Sequence, residues 1–273
     1  MKTYFLMTVD VDPPFSPPLN FIINEGVASL LDLFDRLKIK ATFFVPAMVA
    51  KNFPETIGKI VEEDHEIACH GLKHSSQEVL LNVNKKIKII RAATEIIESI
   101  TGVRPIGFRA PFFKIDRNFW IALNKNDYVY DSSCVSFPSF YFNRFESISF
   151  ISRKPFYISI SKKNGENSLL EIPVSTNPIL PFPLGAAWFR IFGSTWSKIG
   201  ISISFILKAP VVFYIHPKDI IALDSYGLPW YFYYNTGKCL RMLDEIITYA
   251  KDSGAKFLKA YELAKMFEKL NES

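Results

Sequence analysis

Cysteine is scarce in this 273-residue chain and poorly placed for cross-linking. The three cysteines, Cys69, Cys134 and Cys239, are odd in number and widely spaced, with no Cys-x-x-Cys pair. A disulfide framework is therefore not expected, and a reducing compartment is favoured. No apolar run reaches the ~20 residues of a membrane-spanning helix. Lys2 is followed by strand-like sequence running straight into Asp10, too short a lead for a secretory signal, so a cytoplasmic location is expected. A strong charge of one sign is also missing, since 32 Lys and Arg face 27 Asp and Glu. The basic residues fall in short groups (Lys38/Lys40, Lys85/Lys86/Lys88, Arg153/Lys154, Lys162/Lys163) that do not interleave with aromatics. They read as solvated faces, and a nucleic-acid partner is not expected. Repeats, low-complexity tracts and an interdomain linker are absent as well.

What the chain does have is an ordinary globular balance, 49% hydrophobic and 22% charged, with 25 Phe and 12 Tyr. So many aromatics fit a broad core or a sugar- or lipid-facing surface. The pattern along the chain alternates strand and helix. Tyr4–Met7 is a nearly continuous apolar run, as in a strand buried on both faces. A helical stripe follows through Val27, Leu30, Leu31, Phe34 and Leu37. Strands are expected at 41–45, 66–68, 106–108, 128–130, 170–173, 211–215 and 256–258. Helices are expected from Pro54, over 85–100, after an Asp116 cap, over 197–208, over 239–251 and over 261–270. Residues 178–185 read as loop. Such alternation implies βα units around a parallel sheet or barrel. The rhythm breaks at Ser136–Ser168, which reads as a loop-and-hairpin insertion over the barrel mouth.

Five motifs carry chemistry. Asp10-Val11-Asp12 ends the first strand, where alternation points both carboxylates to the same side and Pro13-Pro14 stops the ladder. His70 and His74 follow the third strand at i and i+4, a spacing from which two imidazoles can reach one metal. Arg109 ends the fourth strand in Arg-Ala-Pro-Phe, as an ion-pair partner or as the group that fixes a catalytic carboxylate. Tyr130-Asp131-Ser132-Ser133 is a weaker signal at the next strand end. His216-Pro217 ends the strand Val211–Ile215, a position suited to a proton donor. His65, the fourth histidine, precedes a strand and is assigned no role.

In order and spacing these motifs resemble the polysaccharide deacetylase family over nearly the whole chain, in an Asp-x-Asp branch similar to peptidoglycan deacetylase-like and lipid-linked-sugar deformylase-like members. The resemblance implies an α/β fold, a distorted (β/α)7 barrel in one domain spanning 1–273. It implies Asp12, His70 and His74 as ligands of one divalent metal, zinc first, with cobalt, nickel or iron able to substitute. It implies Asp10 as general base, Arg109 as its orienting partner, the backbone N–H near Phe112 as an oxyanion donor and His216 as general acid. A carboxylate should tune His216, and Asp127, Asp131 and Asp219 all remain open. Asp131 and Trp188 are carried as further substrate contacts, Trp188 within an aromatic wall with Phe137, Phe140, Tyr141, Phe142, Phe145, Phe150, Phe182 and Phe189. The implied activity is removal of an N-acetyl or N-formyl group from an amino sugar, either carbohydrate or lipid-linked. The alternatives are an allantoinase-like amidase and a sugar-binding pseudoenzyme.

Overall fold

The computed structural model describes residues 3–14, 19–136, 151–160, 168–221 and 229–271. Strand β1 (Thr3–Asp10) is next to the end of the pairing path, between β2 (Thr42–Val45) and the terminal β8 (Val211–Ile215). The sheet continues from β2 through β3 (Glu66–Cys69), β4 (Gly107–Phe108), β5 (Tyr130–Asp131) and β7 (Ser168–Glu171) to β6 (Phe156–Ser159), and β9 (Ala255–Phe257) adds to β1. Every described pairing is parallel except β6–β7. The pairing path is open between β7 and β8. Ser175 spans that gap, its N–H donating to Val212 O at 3.1 Å and its Oγ accepting from Val212 N at 2.9 Å.

Alternation along β1 decides where the site lies. Phe5, Met7 and Val9 face the outer layer and pack with Val27, Leu30 and Phe34 of α1 (Phe21–Arg36) and with Leu243 and Ile246 of α8 (Thr236–Asp252). Leu6 faces inward, among Phe44, Ala68, Tyr130, Leu170, Val212 and Tyr214. Thr8 and Asp10 share the inward parity, so the carboxylates top an apolar plug. The outer shell is completed by α2 (Ala47–Asn52), α3 (Pro54–Glu62), α4 (Val83–Thr101), α5 (Arg117–Asn124), α6 (Ala186–Ile206), α7 (Trp230–Tyr233) and α9 (Ala260–Asn271).

Several elements follow their sequence signals closely. Pro54 opens α3, and Asp116 caps α5 by accepting from Phe119 N. Gly102 ends α4 in the left-handed conformation. Others differ. Helix α2 has too short an apolar pattern to be seen in advance. Helix α6 begins at Ala186 rather than Ser197, because Gly193 (φ 84°, ψ 173°) divides it and masks its period. The strand expected at 170–173 lies at Ser168–Glu171 and stops before Pro173, and β6, from within 136–168, pairs antiparallel with it. Phe137, Phe140, Tyr141, Phe142, Phe145 and Phe150 lie outside the described residues.

Candidate active site

Strand ends deliver the site residues to one place. Arg109, fully buried, organises the base side. Its Nη1 donates to Asp10 Oδ1 at 2.6 Å and to Thr8 Oγ1 at 2.9 Å. Its Nε and Nη2 donate to Ser132 O at 3.0 Å and Ser132 Oγ at 2.9 Å, and its planar group lies 4.0 Å from the Phe44 ring centre. A fixed fork saturated in this way holds Asp10 in one orientation.

His70 Nδ1 lies 2.7 Å from Arg109 O. A carbonyl can only accept, so Nδ1 carries the proton and Nε2 is left with a lone pair. That nitrogen faces Asp12 Oδ1 at 3.6 Å, and His74 Nε2 lies 2.9 Å from the same oxygen. Asp12 Oδ1 is buried without a hydrogen bond. Lone pairs of His70 and Asp12 thus face each other in a dry site, an arrangement that a cation between them would satisfy. The three ligand atoms lie within 4.8 Å of one another. The donor set fits the divalent metal that the resemblance implies. Burial would raise the Asp12 carboxyl, but the charges of Lys218 and then His216 pull the other way, and the group lies well below the ordinary carboxylate value, as a ligand requires.

The loops between these residues are shaped for the site. His74 has φ 57° and Phe112 and Phe113 each φ 56°, left-handed values that cost non-glycine residues about 1–2 kcal/mol each. Phe112 is half-exposed, and its ring lies 4.6 Å from that of His74. Gly71 (φ 80°) is required, since a Cβ there would come within 2.8 Å of Glu78 Oε2.

On the other side, His216 Nδ1 lies 2.8 Å from Asp219 Oδ2, which also accepts from His216 N at 2.9 Å. Asp219 is the carboxylate that pairs with His216, not Asp127 or Asp131. Its Oδ1 accepts from Arg190 Nε at 3.1 Å. Burial would raise Asp219, yet His216, Arg190 and Lys218 bring it down to about 2. His216 Nε2 is left 3.6 Å from Asp12 Oδ2, and Lys218 Nζ meets that oxygen at 2.5 Å.

One expected substrate contact, Asp131, sits behind the site. Asp131 is fully buried, accepting from Trp120 Nε1 at 2.9 Å and Ser133 Oγ at 2.5 Å. Ser133 in turn accepts from Ala110 N at 2.8 Å, so Asp131 braces the Arg109–Phe112 loop from behind. Burial raises the carboxyls of Asp131 and its neighbour Glu171. Trp188 stacks on Phe182 at 4.3 Å and on Phe192 at 6.3 Å at the start of α6, and Phe189 is core against Phe213. Sequence reading missed Lys218 and Arg190. Arg190 did leave a signal, as one of only two charges in an otherwise apolar or neutral helix.

The polysaccharide deacetylase model matches residues 2–130, and a domain of unknown function, DUF3473, matches residues 135–248. The two regions share one sheet and one site, the first carrying Asp10, Asp12, His70, His74 and Arg109 and the second Arg190, His216, Lys218 and Asp219. A peptidoglycan deacetylase-like protein of Gibberella zeae is 36% identical over 115 residues, 41% of this chain and 34% of that protein. A peptidoglycan deacetylase of Helicobacter pylori is 28% identical over 113 residues, 41% of this chain and 38% of that protein. The match thus spans little more than a third of either relative. A protein proposed to be a polysaccharide deacetylase, from Mycobacterium smegmatis, shares the fold, with a TM-score of 0.73 and 21% identity over 99% of this chain and 91% of that one. Among the described residues no helix is long and apolar enough to cross a membrane. Residues 2–130, which supply the acidic pair, both facing histidines and the buried arginine, are a polysaccharide deacetylase domain.

Proposed function

We propose that the protein is a metal-dependent hydrolase that removes an N-acyl group, acetyl first and formyl second, from an amino sugar, with residues 1–273 acting as one catalytic unit. The observation that carries this reading is the convergence of Asp12, His70 and His74 between two pre-oriented pairs, Arg109–Asp10 and Asp219–His216. Asp12, His70 and His74 would hold a divalent ion, zinc by preference for two imidazoles and one carboxylate. When bound, such an ion polarises an amide carbonyl and acidifies water. Asp10, fixed by Arg109, takes the proton of the attacking water. The turn at Phe112 supplies a backbone N–H toward the developing oxyanion, a contribution worth about 3–4 kcal/mol for such a donor. His216, carrying a proton on each ring nitrogen at this step, passes the one on Nε2 to the departing nitrogen, while Asp219 accepts from Nδ1–H and holds the ring in place. Amide nitrogen leaves poorly as an anion, so the acid is as necessary as the base. We place this activity in the cytoplasm, on a carbohydrate or a lipid-linked sugar.

The test is acetate and formate release by purified protein from N-acetylated and N-formylated amino sugars, free, nucleotide-linked and lipid-linked. Release that stops on chelation, returns with zinc and is lost in Asp10→Asn is the expected result. A zinc-replete protein that releases neither acid from any of these would overturn the reading and favour a non-catalytic sugar binder.

A further inference from the structure

Arg190 is buried near the start of α6, and its bonds run in two directions. Toward the site, Nε and Nη2 meet Asp219 Oδ1 at 3.1 Å and 3.0 Å. Away from it, Nη1 donates to Tyr234 O at 2.6 Å and Nη2 to Tyr231 O at 3.1 Å, both carbonyls at the end of the short helix α7. The backbone carbonyl of Arg190 accepts from Asn235 Nδ2 at 3.0 Å. One residue thus ties together α6, the 217–219 turn and the α7–α8 junction.

Each tie has a local reason. A helix of a single turn cannot satisfy its own last carbonyls and is not stable alone, so α7 needs an outside donor. A guanidinium carries its donors in a rigid fork and has no acceptor, so it can serve a carboxylate and two carbonyls at once. Asn235 holds φ 57° and makes no side-chain cap bond to α8, which leaves its carboxamide for Arg190.

Two contacts share the placing of Asp219. Helix α1 fixes where the turn lies, because Gly26 comes so close that a Cβ on it would lie 2.7 Å from Pro217 Cβ. That packing does not set the rotation of the Asp219 carboxylate. Arg190 on Oδ1 sets it, and so keeps Oδ2 on the ring and backbone N–H of His216.

We propose that Arg190 is a positioning residue for the proton donor. It locks Asp219, and through it the His216 ring, to the α7–α8 junction, so His216 is aligned only while Tyr231, Tyr234 and Asn235 are docked on Arg190. The proposal rests on the hydrolase reading for the step it serves. In that step the Nε2–H bond of doubly protonated His216 breaks and the proton goes to the departing nitrogen. The C–N bonding pair leaves with that nitrogen, and Nδ1–H stays on Asp219.

The experiment compares two acetyl donors that differ in their need for an acid. One is an N-acetylated amino sugar, the other an aryl acetate ester whose phenolate leaves unprotonated. Arg190→Met should lower kcat for the amide about a hundredfold, with KM and the ester rate within about threefold of wild type. Arg190→Lys should stay at least about tenfold impaired on the amide, since one ammonium cannot hold a carboxylate and two carbonyls. Asn235→Gly keeps the left-handed backbone and removes the bond to Arg190 O. It should slow the amide several-fold and spare the ester. These two variants decide the matter should the methionine protein not fold. Imidazole-proton NMR reads the anchor without turnover. The His216 Nδ1–H held by Asp219 should give a slowly exchanging signal in the wild type and be lost or broadened in the variants. Equal losses on amide and ester, full rescue by lysine, or an unchanged His216 signal in every variant would overturn the proposal. Where the wild type turns over the amide alone, or neither donor, the His216 signal decides, its loss upholding the anchor and its persistence overturning it. In the second of those cases the hydrolase reading itself fails.

Discussion

Replacing Asp219 by asparagine removes one buried negative charge with almost no change in volume. In the folded protein that charge accepts from the ring and backbone of His216 and from Arg190. Its carboxyl falls from an ordinary 3.8 to about 2, against the opposing effect of burial. At ~1.36 kcal/mol per pH unit the drop is worth ~2.4 kcal/mol of stability. The sign follows from the direction. A depressed acid stabilises the fold fully above its unfolded value and loses that contribution as pH falls through 3.8 toward 2. Asp219→Asn should therefore be destabilised by roughly 2–3 kcal/mol at pH 7, and the gap to wild type should close between pH 4 and pH 2. Urea unfolding at a series of pH values reads it. Turnover should fall by at least about a hundredfold, because an asparagine can present an N–H to His216 Nδ1 and favour the wrong tautomer. A stability gap that stays constant down to pH 2, or turnover within a few-fold of wild type, would refute the reasoning.

Other outcomes follow from the same geometry. Lys218→Met should tighten zinc binding about tenfold in chelator competition, since it removes a cation 2.5 Å from the ligand carboxylate Asp12, and Lys218→Arg should not. Unchanged or weaker affinity in the methionine variant would count against it. Asp12→Ala should lose the metal, whereas Asp10→Asn should keep it and lose turnover, with metal content and rate measured on the same preparations. Arg109→Lys should cost both activity and stability, because a single ammonium cannot serve Asp10, Thr8 and Ser132 at once, and a melting curve beside the kinetics checks it. His65 is held neutral. Burial first, then Lys40 and Lys259, bring it from 6.5 to about 4, and its Nδ1 accepts from Ala41 N. The unfolded chain protonates first on acidification, so stability should fall by roughly 2–3 kcal/mol from pH 6.5 to 4, and His65→Gln should flatten that fall.

Much of the site was legible because it is local. Asp10 and Asp12 sit two apart on a strand, His70 and His74 four apart on one loop, and Arg109 and His216 directly at strand ends, so period and punctuation point to them. The carboxylate partner of His216 was not legible among three candidates. Asp219 is chosen by a tight 217–219 turn that brings it back under His216, and by Arg190 from a helix 29 residues away in sequence. Lys218 carries no pattern at all, since its role depends on the distance to Asp12 across 206 residues. Composition does not say which way an aromatic side chain such as Trp188 faces. In helix α6 it turns into a stack with Phe182 and Phe192.

The buried polar groups beneath the site form one connected path. Thr8 Oγ1 donates to Phe213 O on β8 and accepts from Arg109 at the end of β4. Arg109 reaches Asp10 on β1 and Ser132 after β5, and Ser132 Oγ donates to Ile172 O after β7. The path thus links strands from both halves of the chain across the inner face of the sheet. A half-satisfied network in that dry interior would cost more than an apolar filling, so every strand end must be in register for any of these bonds to be worth having. The geometry that orients Asp10 is therefore also what specifies the register of the parallel strands, and folding and the proposed chemistry draw on the same few bonds. That coupling explains why His216, supplied by the second half of the chain, stands opposite Asp10, supplied by the first. Strand β8 takes its place against β1 through five paired residues and the Thr8–Phe213 bond, and only then does His216 come within 3.6 Å of Asp12.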